Sequence, residues 1–236
     1  MAYSHGTPNS IVTDKLMFAV DPANIRSYPG SGTAITDIVG GYNGITVNSP
    51  TFSTDDGGAF TNTGAKYLQF DTGLYDLVRV GDGITVSMWC KIPDVNGIDF
   101  IPFNFRPLLT TSAGFGWKLA MTWSTNDNSF RVRGSGGISA YEYNVRDTWF
   151  NLVLTAEFGS DTSKQQIYID GVSIANFSSA LSSLPSNTDI YFYLGQYYSS
   201  TWAITRGSWS NVNVYNRYLE SSEIKQNYNA LKGRFL

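Results

Sequence analysis

The sequence contains few residues of the kinds that do covalent chemistry. Its 236 residues include one cysteine, Cys90, and one histidine, His5. A single cysteine excludes an intrachain disulfide, and a chain of this length can bury enough core to be stable without one. A Ser-His-Asp or Cys-His site needs a histidine that the fold holds in place, and His5 lies in a segment that we expect to be flexible. We therefore predict no nucleophilic catalysis of this type.

Charge is scarce as well. Charged residues make up 15% of the chain and the formal net charge is −3, so there is no basic surface for nucleic acid or for an anionic membrane. No apolar run is long enough to cross a bilayer, and Met1 to Lys15 lacks the pattern of a signal peptide. We expect no nucleic acid partner, no membrane association and no visible leader. A protein of a virus particle that is released by lysis would satisfy these conditions.

Glutamate is rare, which bears on carbohydrate hydrolysis. The four glutamates are Glu142, Glu157, Glu220 and Glu223. Glycosidases need two carboxylates that flank the scissile bond, and no strand carries a closely spaced set of acids. We predict that the chain is not an enzyme. An acid pair drawn from separate aspartates remains the alternative, and a groove where two or more acids converge beside a sugar-sized cavity would overturn the prediction of a chemically inert scaffold.

What the sequence does have is a strand pattern. Aromatic residues make up 15% of the chain and there are 23 glycines, which suits short strands, tight turns and a ring-rich interior. Apolar and polar residues alternate over 83–92, 116–123, 149–158 and 190–194, as half-buried strands require. Cys90 lies on the apolar side of the first of these strands and is predicted to be a small buried hydrophobe.

Two local signals are more specific. Asp170-Gly171 separates two short apolar segments and predicts a hairpin with a type I′ turn. Near the end of the chain, Ile224, Tyr228 and Leu231 form an i, i+4, i+7 stripe, and Gly233 stands where a helix would stop. We predict one domain over 11–236 that ends in a short helix, preceded by a flexible segment at 1–10.

Two parts of the chain resemble a known family. They are Leu16–Asn24 with Ser27–Thr33, and Val212–Leu219 with Glu223-Ile224 and Asn227–Phe235. Together they resemble the LamG-like, concanavalin A-like domains common in structural proteins of tailed bacteriophages. The resemblance implies an all-β fold, a two-sheet antiparallel jelly-roll sandwich with one short C-terminal helix. The family usually has Ser or Thr where this chain has Glu220, so we expect either that Ser221 caps the helix or that the helix start is looser.

The resemblance also implies a function. We expect a non-enzymatic structural protein on the virion surface of a tailed phage, in capsid decoration or associated with the tail, made in the host cytoplasm. Its partners would be other virion proteins, and self-association is left open. The alternative is a stand-alone, lectin-like adhesion module that binds host surface polysaccharide. The two roles are compatible, because a decorating protein can also adhere.

Two aromatic segments are candidate contact sites. Tyr197, Tyr198 and Trp202 interrupt the alternation and are predicted to lie in a loop, where they would stack on a glycan or fill the core. Phe100, Phe103 and Phe105 belong to an unusually apolar connection, which we interpret as a loop that contacts a subunit or the capsid.

Metal binding has weaker support. LamG relatives often carry a calcium ion at the rim, and Asp55-Asp56 and Asp127-Asn128 are the candidate donors. Neither pair is a spaced ligand motif, so surface turns are the favoured interpretation, no metal ligand is predicted and no cofactor is expected. A structural calcium ion stays open as the alternative.

Overall fold

Polar and apolar side chains alternate along the strands of two antiparallel sheets. The computed structural model describes residues 10–95, 99–107, 119–124, 128–134, 137–159, 164–176, 189–196 and 206–236. Within them lie sixteen strands and two α-helices, in chain order: β1 Leu16–Val20, β2 Ala34–Ile35, β3 Gly44–Val47, β4 Thr51–Ser53, β5 Ala59–Thr63, β6 Tyr67–Phe70, α1 Gly73–Arg79, β7 Gly83–Lys91, β8 Asp99–Pro107, β9 Leu119–Ser124, β10 Ser129–Gly134, β11 Gly137–Glu142, β12 Trp149–Glu157, β13 Gln165–Ile169, β14 Val172–Asn176, β15 Ile190–Leu194, β16 Arg206–Tyr215 and α2 Ser221–Leu231.

The strands divide into two sheets of eight. Sheet A has the order β14-β13-β12-β7-β16-β5-β4, and β1 pairs with the second half of β16. Sheet B has the order β11-β10-β9-β8-β15-β6-β3-β2. Every pair of neighbours is antiparallel. The predicted two-sheet antiparallel sandwich is confirmed.

The inner faces of the sheets enclose a core rich in aromatic rings. Phe18 meets Phe70 edge to face at a centroid distance of 4.9 Å and Phe192 at 5.4 Å, and Phe105 stacks on Phe192 at 4.7 Å. Such ring pairs stabilise a core beyond the area they bury. Cys90 is fully buried here, as predicted, and burial raises the pKa of its thiol well above the ordinary value.

The predicted contact loop at Phe100, Phe103 and Phe105 is wrong. These residues belong to strand β8, and their exposed fractions are 0%, 1% and 0%. The pairing of β8 with β9 shifts register between Phe100 and Phe103, and this irregularity interrupts the alternation that would have identified a strand. Because the rings face the core, they are not available to a partner.

The turn and helix predictions have mixed outcomes. Asp170 and Gly171 have φ angles of 52° and 75°, as a type I′ hairpin between β13 and β14 requires, so this prediction is confirmed. Helix α1 was not predicted, because it has only seven residues and buries just three side chains. Neither helix in the described part of the chain has the length and apolar character needed to cross a membrane.

The C-terminal helix is confirmed, with two differences at its ends. Its N-cap is Glu220 rather than Ser221, and the Glu220 N–H donates to Glu223 Oε2 at 3.0 Å. Arg217 holds the Glu223 carboxylate in place through two bonds of 2.7 and 2.8 Å and lowers the pKa of that carboxyl. At the other end, Gly233 lies inside a 3₁₀ turn that continues the chain to Arg234, so it does not stop the helix.

This C-terminal segment covers the outer face of sheet A. Phe235 stacks on Trp89 with ring centroids 4.3 Å apart and lies 5.1 Å from the ring of Trp149. Arg234 Nη1 donates to both carboxylate oxygens of Asp21 at 2.8 Å, which ties the end of the chain to the segment after β1. Of the segment predicted to be flexible, residues 1–9 lie outside the described residues, and the Ser10 carbonyl accepts a bond from Gln226 at 2.9 Å.

We predict that Phe235→Ala lowers the free energy of unfolding by about 3 kcal/mol, because it removes a ring that is 8% exposed from between two tryptophans. Urea denaturation followed by tryptophan fluorescence measures the change. The control is Leu236→Ala, which alters a side chain that is 69% exposed and should leave stability unchanged. Equal stability of the two variants would contradict the proposed role of the C-terminal segment.

Candidate functional site

The candidate site is an open cavity of about 520 Å³ at one rim of the sandwich, hereafter the rim cavity. Its walls come from Asp94 in the segment after β7, the connection between β11 and β12, the start of β12 and the β13–β14 hairpin. The polar side chains that line it are Asp94, Tyr143, Asn144, Arg146, Thr148 and Asp170, and the remaining lining comes from Val145, Phe150 and Ile169.

Arg146 organises this rim. Its Nη1 donates to Asp94 Oδ1 at 2.7 Å and its Nη2 to Asn128 Oδ1 at 2.6 Å. Its guanidinium also lies over the ring of Trp123, 5.5 Å from the centroid. Asp94 follows a strand of sheet A, whereas Asn128 and Trp123 belong to the rim of sheet B, so one side chain joins both sheets. The planar, always-charged guanidinium suits such a junction, since it can donate in two directions while its face rests on a ring.

The backbone around Arg146 is fixed in the same way. The Tyr143 N–H donates to the Asn128 carbonyl at 2.8 Å, and the Asp147 N–H donates to the Ile92 carbonyl at 2.7 Å. Trp123 Nε1 donates to the Tyr143 carbonyl at 3.4 Å. The connection between β11 and β12 is therefore bonded on both sides, and its side chains project from a positioned backbone.

Asp170 forms the opposite wall as the first residue of the hairpin turn. Its Oδ1 accepts the Asn151 N–H at 2.8 Å, and its own N–H donates to the Asn151 carbonyl at 2.9 Å. Burial raises the pKa of the Asp170 carboxyl, and the bond from Asn151 lowers it by a smaller amount. This aspartate is thus half-buried and bonded to the neighbouring strand.

The groups that face solvent at the cavity are varied in chemistry. The Tyr143 ring is 36% exposed, Asp94 has a side chain that is 62% exposed, and Asn144 and Thr148 are also exposed. The cavity therefore offers one aromatic face together with carboxylate, amide, hydroxyl and guanidinium groups. A concave surface with a few positioned polar groups is the usual form of a small-ligand site.

Sequence reasoning did not find these residues. The predicted glycan contacts Tyr197, Tyr198 and Trp202 lie outside the described residues, so that prediction is untested. The signal that was available is the stretch Tyr143 to Asp147, in which aromatic, amide and charged residues follow one another between two strands.

Two acids, Asp94 and Asp170, line the rim cavity. Two acids that converge beside a sugar-sized cavity would overturn the prediction of a chemically inert scaffold, so the contacts of this pair are considered with the function below. In the described ranges, no group of three or more His, Cys, Asp or Glu side chains converges as metal ligands do. Asp55 and Asp56 lie in a 3₁₀ turn, and Asp127 falls outside the described residues, so the calcium alternative stays open.

The comparison with family models identifies the class of protein. The model Laminin_G_3, described as the concanavalin A-like lectin/glucanases superfamily, matches residues 62–225. This match spans most of the sandwich, from β5 into α2, and the chain belongs to this family. A comparison with curated proteins found no match.

Solved structures share the fold at low sequence identity. The chain is similar to Trypanosoma rangeli sialidase with a TM-score of 0.67 and 14% identity, over 95% of this chain and 34% of that chain. It is also similar to the binding domain of botulinum neurotoxin DC in complex with SialylT, with a TM-score of 0.65 and 12% identity, over 92% of this chain and 52% of that chain. This chain thus spans about a third of the sialidase chain, and these likenesses establish the fold alone.

Proposed function

We propose that this chain is a non-catalytic carbohydrate-binding module whose ligand occupies the rim cavity. The observation that carries the proposal is the combination there of an exposed tyrosine ring with positioned carboxylate, amide, hydroxyl and guanidinium groups. We assign a carbohydrate as the ligand because the chain belongs to a family of lectins and glucanases.

The chemistry of a sugar ring fits this arrangement. A pyranose presents apolar C–H groups on its faces and hydroxyls around its edge. Tyr143 supplies a flat apolar ring with a hydroxyl at its end. The ring suits the C–H face of a sugar, and the hydroxyl suits its polar edge. Asn144 and Thr148 can each donate and accept hydrogen bonds at the edge of the ring. Because the backbone on which they stand is bonded to both sheets, little conformational entropy is lost on binding.

The structural neighbours support the same class of ligand. Trypanosoma rangeli sialidase forms a complex with sialic acid, and the neurotoxin binding domain forms a complex with SialylT. At identities of 16% and 12% the residues that contact those ligands cannot be transferred to this chain. The support is therefore for glycan binding in general.

The hydrogen bonds of the two acids in the rim cavity favour a role in binding over a role in hydrolysis. Glycosidases use one carboxyl as a proton donor and the other as a base or nucleophile, each directed at the substrate. Asp94 Oδ1 accepts a hydrogen bond from Arg146 Nη1 at 2.7 Å, and Asp170 Oδ1 accepts one from the Asn151 N–H at 2.8 Å. One oxygen of each carboxyl is therefore bonded within the protein. The hydrolase remains the second candidate, since both carboxyls line one cavity and burial raises the pKa of Asp170, as it does for a general acid.

We predict that the protein binds members of a glycan array and that Tyr143→Ala weakens binding about fivefold, since loss of a stacking ring costs about 1 kcal/mol. Trp202→Ala is the matched comparison, because it removes a ring from the loop indicated by the sequence. Binding lost in Trp202→Ala and kept in Tyr143→Ala would place the ligand at that loop instead.

The same glycans separate binding from hydrolysis. Incubation of the protein with a bound glycan should release no new reducing ends, and Asp170→Asn should fold as the parent does. Asparagine keeps an oxygen for the Asn151 N–H and tolerates the left-handed turn. Reducing ends that appear with the parent and disappear in Asp170→Asn would establish the hydrolase.

We also propose that this module is a structural protein on the virion surface of a tailed phage, in contact with other virion proteins of the capsid or tail and without a cofactor. The support is the resemblance of the two terminal segments to domains of such particles. Those segments form one unit in this fold, since Asp21 of the first binds Arg234 of the second. The contact with the particle is not assigned to Phe100, Phe103 or Phe105, whose rings are buried.

Mass spectrometry of purified particles tests the virion proposal. We expect peptides of this chain to remain with the particles through density-gradient purification, at a copy number comparable with a known minor structural protein. Recovery of the chain only from the soluble fraction of the lysate would contradict the virion role and leave glycan binding unaffected.

A further inference from the structure

A second cavity of about 260 Å³ lies at the same rim on the outer face of sheet A, hereafter the basic cavity. The segment from Ile92 to Asp94 and the neighbouring Asp147 separate it from the rim cavity. Six of the side chains that line it carry its chemistry: Lys91, Arg206, Thr61, Thr63, Ser208 and Asp147.

Strand register explains why these side chains meet. Ser208 pairs with Lys91 on one side and with Thr61 on the other, and Arg206 pairs with Thr63. Paired residues, and residues two apart on one strand, project from the same face of a sheet. Five side chains from β5, β16 and β7 therefore lie together on one face, just beyond the area covered by the C-terminal segment.

The two cations of this cavity are not paired with an acid. In the part of the chain that the structure describes, neither Lys91 nor Arg206 forms an ion pair, whereas Arg79, Arg146, Lys164, Arg217 and Arg234 each do. Because no carboxylate binds either side chain, both cations can interact with an anion that enters the cavity.

The remaining polar groups suit an oxyanion. The hydroxyls of Thr61 and Ser208 form a hydrogen bond of 2.7 Å, and the one that accepts in this bond keeps its own O–H to donate to a ligand oxygen. The one acid that lines the cavity, Asp147, accepts the Asp94 N–H at 3.3 Å. The basic cavity thus presents two cations and several hydroxyls against a single carboxylate.

We propose that the basic cavity binds one carboxylate or sulfate group of an acidic glycan. This inference rests on the proposed function, and it names an acidic polysaccharide as the ligand class. At about 260 Å³ the cavity is smaller than the pockets of about 300–1,000 Å³ that hold drug-sized ligands, and its two cations mark where a charged substituent would bind. The guanidinium of Arg206 can donate hydrogen bonds to two oxygens of such a group, and the ammonium of Lys91 supplies a second positive charge.

The test compares binding to three polymers on a biosensor: neutral dextran, dextran sulfate and polygalacturonate. The parent should bind at least one charged polymer, and Arg206→Gln and Lys91→Gln should each weaken that binding about tenfold, the size expected for one charge-assisted hydrogen bond. The sulfate and carboxylate polymers separate the two sources of the anion. Arg26→Gln and Lys225→Gln are the controls, because they remove one charge each from exposed sites elsewhere.

Each outcome decides the proposal. Controls that retain affinity within about twofold while the cavity variants lose it would support the site, since general charge attraction is small for exposed groups. Equal losses in all four variants, or no binding of either charged polymer by the parent, would overturn it. Arg206→Lys is the control for misfolding, because it keeps the positive charge. We expect its affinity for the charged polymer to lie between those of the parent and Arg206→Gln.

Failure of this inference is distinguishable from failure of the proposed function. Tyr143→Ala should impair binding of the array glycans and leave inorganic sulfate binding intact, as measured by calorimetry. Sulfate binding lost in Arg206→Gln with no glycan bound at all would uphold the basic cavity and contradict the rim cavity.

Discussion

The candidate site depends on one side chain, Arg146, which joins the two sheets where the sandwich is open. Inside the sandwich, rings and aliphatic side chains pack the two sheets against each other. At the rim that packing ends, and the backbone of the connecting segments has to be positioned by hydrogen bonds. The guanidinium meets this need with Asp94 on one sheet, Asn128 on the other and the ring of Trp123 beneath it.

The rest of the fold determines where the two cavities lie. The inner faces of both sheets are filled by the core, and the outer face of sheet A is covered by Phe235, Tyr228 and the segment around them. Where that cover ends, sheet A is left with the basic cavity, and around the edge of the sheet lies the rim cavity. The segments 93–95 and 146–148 contribute residues to both cavities. On the two proposals above, a long glycan that contacts both cavities would be selected for its acidic groups by the basic cavity.

The sequence predicted those parts of the fold that depend on local periodicity. Strands β7, β12 and β15, the Asp170-Gly171 turn and the helix after Glu220 each follow from residues adjacent in the chain. Strand β8 was missed because its register shift places two residues between Phe100 and Phe103, which breaks the period-two pattern. The site was missed for a different reason. Asp94, Tyr143 and Asp170 are far apart in sequence and meet only through the pairing of β7, β12 and β13, which no local pattern specifies.

The most direct test of the rim cavity is nuclear magnetic resonance of the ¹⁵N-labelled protein titrated with a glycan that it binds. Binding at the rim cavity predicts that the largest changes in amide chemical shift fall on Asp94, Asn144, Thr148 and Gly171. The outer face of sheet B, represented by Gln69 and Tyr191, should show none. Changes confined to sheet B or to the segment that contains Trp202, with the amides of the rim cavity unaltered, would contradict the account.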